Sequence, residues 1–178
     1  MKLGLAKRRA EKAGKARLAD LLHDAATRTE RAIGSLRDFA RGVHPPLLEA
    51  EGIIAALASQ VRRLPIRVTV HAPGIARYPQ AVETAVYFCV LEALQNVVKH
   101  AHASFAYVSL RNTGAGVTFE VSDDGIGFEP GSQQSGSGLA NLADRVDALD
   151  GNLEVVTAPG RGTTIRGEIP VPTMEAAP

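Results

Sequence analysis

With 178 residues, 45% of them hydrophobic, the chain can bury one core and carry a smaller appended element. The 20 Lys and Arg nearly balance the 19 Asp and Glu, and a net charge of +1 makes no case for direct nucleic-acid binding. A single cysteine excludes an internal disulfide and a zinc cluster, no apolar run approaches the roughly 18 to 20 residues that span a bilayer, and no secretory signal is present, so a soluble, cytoplasmic chain is expected.

The chain opens with Lys2, Lys7, Arg8, Arg9, Lys12, Lys15 and Arg17 above Leu3, Ala6, Ala10 and Ala13 at helical spacing, the pattern of a solvated helix face. From Leu18 the apolar positions step through Leu22, Ala25, Thr29, Ala32, Leu36, Phe39 and Val43, a heptad seam broken only by Thr29. The first segment could pack antiparallel on this seam after a turn near Gly14, but it is too short to cover it, so a dimeric helical bundle is expected. Gly42, Pro45 and Pro46 end the long helix and mark a domain boundary.

Beyond the prolines, Glu51–Leu64 reads as a short helix, Ile66–His71 as a strand and Pro79–Ala103 as a long helix with proline at its first turn. Cys89, among Val86, Phe88 and Val90, reads as a small core residue. Phe105–Arg111 and Val117–Ser122 pair around a hairpin loop, Leu139–Leu149 is helical, and Asn152–Thr157 and Thr163–Ile169 form a second hairpin around Pro159 and Gly160. The predicted architecture is α+β, a mostly antiparallel sheet with helices on one face, preceded by an antiparallel helical-bundle segment. It divides into a helical region at 1–46, a larger domain at 47–172 and a disordered tail at 173–178.

Four segments carry chemistry, in order: Leu91–His100 (LEALQNVVKH), Asp123–Phe128 (DDGIGF), Gly136–Leu142 (GSGLANL) and Gly160–Ile165 (GRGTTI). One glycine run alone marks a turn more often than a nucleotide, but four at these spacings point to an ATP site. Glu92, Asn96 and Lys99 line one face of the long helix, leaving Val86, Val90, Leu94 and Val97 to bury. A carboxylate, an amide oxygen and an ammonium suit a hydrated magnesium and the phosphates it bridges, although a solvated stripe would look alike.

Strand alternation puts Asp123 on the inward face with Val117, Phe119 and Val121, where a carboxylate needs a donor such as the exocyclic amine of adenine. Gly125 and Gly127 remove side chains that would keep the base from the backbone, and a plain turn made by Asp124 and Gly125 is the alternative. Gly136, Ser137 and Gly138 precede Leu139 at a helix start, where free amides and the helix dipole favour phosphate. The Glu129–Ser135 segment reads as a lid. Thr163 and Thr164, after Gly160 and Gly162, could reach the adenine or a water beside Asp123.

Taken together, the four segments resemble the ATP-binding catalytic domain of sensor histidine kinases, within the GHKL superfamily that includes gyrase, Hsp90 and MutL. Glu92–His100 is similar to its N box, Asp123–Gly127 to its G1 box, Gly136–Leu139 to its G2 box and Gly160–Thr164 to its final glycine-threonine motif. The segment LRDFARGVHPPLL (Leu36–Leu48) resembles the junction in the NarL-partnered subfamily. The resemblance implies the Bergerat α/β sandwich, ATP and Mg2+ as cofactors, a dimerisation bundle, a homodimeric parent and a response-regulator partner with a DNA-binding output domain. It also implies that Asn96 holds magnesium, Asp123 binds the adenine amine, Lys99 and His100 lie near the phosphates, and Glu92 orders magnesium-bound water or assists proton transfer.

The chain departs from that pattern at the phosphoacceptor, which in the family is a His-Asp pair on the first bundle helix. Here His23 and Asp24 form the one such pair, on the helix that runs into the junction, and His23 reads as a surface histidine; His44 reads as a junction residue. The chain is therefore expected to begin downstream of the acceptor, with any membrane anchor also upstream, and to bind ATP without phosphorylating itself. An anti-sigma-factor type serine kinase and a nucleotide-responsive dimerisation module without turnover are the alternatives.

Overall fold

The computed structural model describes residues 45–129 and 137–171. The heptad helix, His23, His44, Gly136, the lid segment beyond Glu129 and the C-terminal tail lie outside them. The described elements run in the order α1 (Pro46–Val61), β1 (Arg67–His71), α2 (Gln80–Asn96), a π-helical turn (Val97–Ala101), β2 (Phe105–Asn112), β3 (Gly116–Asp123), α3 (Ser137–Asp147), β4 (Asn152–Thr157) and β5 (Thr163–Pro170).

Pro45 and Pro46 start a helix here. Pro45 sits at the N-cap with its carbonyl accepting from Leu48 N–H (2.8 Å), and Pro46 takes the first turn, where a missing amide donor costs nothing. α1 thus opens five residues before the expected Glu51. It is kinked at Gly52, whose φ of 82° belongs to the left-handed region. Arg77 lies over this kink: it donates to the Glu49 carbonyl (3.1 Å) and, through Nε and Nη2, to both carboxylate oxygens of Glu83 (2.9 and 3.1 Å). Glu83 is only 2% exposed, and it also accepts from Tyr78 N–H (3.1 Å), so α1, the β1–α2 loop and α2 are tied at one buried carboxylate.

α2 is the central helix, packed between α1 and α3 and over β3. Its residues from Ala85 to Val90 are buried without interruption, as are Ala93 and Leu94, and in its C-terminal half the polar side chains are Glu92, Gln95 and Asn96. The segment Gln80–Ala101 is long and apolar enough to span a membrane, with mean hydropathy 1.3, which corrects the expectation that no such stretch exists. Its burial in the core accounts for that composition. Cys89 is fully buried, as expected, and burial pushes its thiol up to about 12. The helix was expected to continue to Ala103; instead it widens into the π turn at Val97 and stops at Ala101, with His102 left-handed (φ 51°).

The sheet has the order β1-β2-β3-β5-β4, with β1 parallel to β2 and every other pairing antiparallel. One row of its inner face runs Val70, Val108, Val121, Ile165, Val155; the next holds Leu110 and Phe119 against Gly167, where a Cβ would collide with the Phe119 ring. The outer face is polar, with Arg166 bridging Glu120 (2.7 Å) and Glu154 (3.6 Å). The expected α+β layering, mostly antiparallel with helices on one face, is what forms.

Candidate nucleotide pocket

The inward row of β3 buries Val117, Phe119 and Val121 and ends at Asp123, which is half-buried. Its Oδ1 accepts from Gly125 N–H at 2.8 Å. Burial pushes the Asp123 carboxyl above the ordinary carboxylate range, the Gly125 and Thr163 amides pull it back in part, and Asp124 adds a smaller upward push. Asp124 faces the other way and is exposed. It accepts from the Ser104 and Phe105 amides and the Ser104 hydroxyl, all at 2.9 Å; these bonds, the Phe105 amide foremost, hold its carboxyl low.

The glycines bring three backbone segments into contact. A Cβ at Gly125 would strike the Ala101 carbonyl at the end of the π turn and the Asp123 carboxylate. Gly162, at φ 66°, lies against the Asp123 carbonyl, and Gly127, at φ 57°, against the carbonyls of Ala158 and Gly162. Ile126 N–H donates to Ala101 O (2.8 Å) and Gly160 N–H to Ile126 O (2.6 Å), so the loop after β3 is held between the π turn and the β4–β5 hairpin. Access for a base had been the expected reason for Gly125 and Gly127; backbone-on-backbone packing is a second, internal one.

At the other end of the site, α3 begins across the polar stripe of α2. A Cβ at Gly138 would lie 3.0 Å from Glu92 Oε1 and 3.3 and 3.4 Å from the Asn96 amide nitrogen and oxygen. Glu92, Asn96 and the first turn of α3 are therefore neighbours, and Leu139 packs against the core beside them. Lys99 and His100 are exposed on the π turn, and the Lys99 ammonium donates to Gln95 at 3.5 Å.

The two threonines of the last motif separate. Thr163 shares a register pair with Thr157, and their hydroxyls are 3.1 Å apart. Thr157 gives its one hydroxyl proton to the Gly162 carbonyl (3.1 Å) and accepts from Phe128 N–H (3.1 Å), so in the pair Thr163 donates. Thr164 lies on the outer face, bonded to Ser122 (2.9 Å), and is corrected out of the pocket: alternation along β5 turns it away from Asp123. Three participants were missed. The Ala101 carbonyl and the Asp124 clamp leave no sequence signal, but Thr157 was legible as the partner of Thr163 across the hairpin.

Among the described residues no group of three or more His, Cys, Asp and Glu is placed to hold a metal. Glu92 and Asn96 supply hard oxygen donors beside one helix N-terminus, a set that fits magnesium arriving with a phosphate rather than a resident ion.

An inward carboxylate among crossing glycines and a helix start laid over an acidic-amide stripe are the parts a nucleotide site needs. The model of the histidine kinase-, DNA gyrase B- and HSP90-like ATPase family matches residues 81–173. The chain belongs to that family. It is 41% identical over 100 residues to the signal transduction histidine-protein kinase/phosphatase DegS of Brevibacillus brevis, covering 56% of this chain and 26% of that protein. It is 31% identical over 148 residues to the oxygen sensor histidine kinase NreB of Staphylococcus carnosus, covering 79% and 43%. The histidine kinase domain from the Erythrobacter litoralis EL346 blue-light activated histidine kinase is similar in structure, with TM-score 0.52 and 26% identity over 66% of this chain and 58% of that one. The chain thus spans less than half the length of the two curated relatives.

Proposed function

We propose that this chain is the ATP-binding catalytic portion of a two-component sensor histidine kinase, which transfers the γ-phosphoryl group of ATP to a histidine for delivery to a response regulator. The observation that carries it is the half-buried Asp123, set between Gly125 and Gly162 at one end of a site whose other end is Glu92, Asn96 and the start of α3. Asp123 accepts from the exocyclic amine of adenine. Thr163, its proton directed to Thr157, keeps lone pairs for a water beside the base. Amides of the first turn of α3, at Gly138 and Leu139, face the phosphates.

Asn96 holds magnesium through its amide oxygen, and Glu92 orders the water around it or takes a proton. Magnesium, when bound, neutralises phosphate charge as the phosphoryl group transfers. Lys99 reaches the phosphates by exchanging its long bond to Gln95 for an anionic oxygen, with His100 next to it. The relatives are histidine kinases, which favours this reading over a serine kinase of the anti-sigma-factor type. The catalytic domain opens with α1 at the double proline. The resemblance at the junction Leu36–Leu48 supports a homodimeric parent and a regulator with a DNA-binding output domain.

Calorimetric titration with ATP, with and without magnesium, tests the site. Wild type should bind in a magnesium-dependent manner and Asn96→Ala should lose that dependence. Unchanged magnesium-dependent affinity in Asn96→Ala removes the metal-holding role, and no heat from wild type removes the nucleotide reading.

A further inference from the structure

Asp124 points away from both core and pocket, yet its exposed carboxylate is committed to the protein rather than to water. Oδ1 accepts from the amides of Ser104 and Phe105 and Oδ2 from the Ser104 hydroxyl, each at 2.9 Å, while its own N–H donates to the Phe105 carbonyl at 3.3 Å. Side chain and backbone thus close on the same two residues, twenty positions earlier, where β2 begins. Ala101 ends the π turn just before them and receives Ile126 N–H at 2.8 Å.

The glycine loop is therefore pinned on both sides of Gly125, by Asp124 on Ser104 and Phe105 and by Ile126 on Ala101. Gly125 has no freedom of its own: a Cβ there would overlap Ala101, and its N–H is aimed at Asp123 Oδ1 at 2.8 Å. We propose that Asp124 is a positioning residue for the adenine end of the site, acting through Gly125 to fix the Asp123 carboxylate in the orientation that receives the base. This rests on Asp123 as the adenine acceptor.

Bonding geometry, not charge, performs this role. An asparagine at 124 can accept both backbone amides through its carbonyl oxygen. Its NH2 can donate to Ser104 Oγ once that hydroxyl turns round, so three bonds are kept without a charge. Alanine keeps none of them. The clamp is also remote from the phosphates, so its loss should weaken every adenine nucleotide by the same factor.

The test is calorimetry of magnesium-ADP and magnesium-ATP on the full 178-residue chain. Asp124→Ala should weaken both about tenfold with their affinity ratio unchanged, Ser104→Ala about threefold, and Asp124→Asn should stay within about twofold of wild type. The proposal is overturned by wild-type affinity in Asp124→Ala, by Asp124→Asn as weak as the alanine, or by a loss confined to ATP. Should Asp124→Ala fail to fold, wild-type affinity in Ser104→Ala overturns it equally. Asp123→Asn is titrated alongside, its amide oxygen retained by Gly125 N–H so that NH2, a donor, meets the adenine amine: wild-type affinity there removes the acceptor role itself, whereas impairment there with Asp124→Ala unaffected removes only Asp124.

Discussion

Asp123 sits where its own ionisation is opposed, because burial outweighs the two amides that favour its charged form. A carboxyl whose folded pKa is raised contributes stability that is fully present below the unfolded value of 3.8 and is lost as pH rises through the folded one. Asp123→Asn removes that penalty. The variant should melt above wild type near neutral pH, with the gap closing below pH 3.8. Thermal melts at the two pH values check this, and a lower melting point at neutral pH would count against it. Nucleotide affinity should move the opposite way, falling as acid protonates the acceptor, beginning above the ordinary carboxylate range. Asp124 has the reverse sign: its contribution is present above 3.8 and disappears as pH falls through its lowered value.

Two pairs of positions separate strain from collision and buried from exposed charge among the elements. Gly160 (φ 73°) has nothing near its Cβ, whereas Gly162 (φ 66°) would drive one into the Asp123 carbonyl, backbone that cannot yield. Gly160→Ala should cost about 1 kcal/mol; Gly162→Ala should cost at least about 3 kcal/mol and abolish nucleotide binding. Chemical denaturation with parallel titration reads both, and equal effects would refute the crossing of the two loops. Arg77→Ala strands the buried Glu83 and should lower the melting point by roughly 5 °C. Arg166→Ala breaks only an exposed ladder and should be nearly silent.

What the sequence made legible here follows from whether the cause was local. Period-two alternation fixes β3 and turns Asp123 inward, and the apolar run of α2 follows from its burial. The π turn is not local: Ala101 must deliver its carbonyl to Ile126, twenty-five positions on, and no propensity records that. The double proline reads as a stop, yet it also starts α1, and the kink at Gly52 packs against Arg77 from another loop, a contact no local pattern records. Thr163 and Thr164 could be told apart only once β5 had a register.

For the whole molecule, the described residues bring together a candidate nucleotide site, and the chain spans 26% and 43% of the two histidine kinases it is compared with. Phosphoryl transfer is therefore tested apart from binding. After incubation with γ-labelled ATP, acid-labile phosphate on His23 is not expected; finding it there would make this chain its own acceptor. The central claim is that the pocket selects adenine through Asp123. A double-mutant cycle is the most direct measurement: wild type and Asp123→Asn, each titrated calorimetrically with ATP and with purine riboside triphosphate, which lacks the exocyclic amine. Wild type should bind the amine-free nucleotide roughly tenfold more weakly and the variant should bind the two alike. Equal binding of both nucleotides by wild type, or a preference for ATP that survives undiminished in Asp123→Asn, would contradict it.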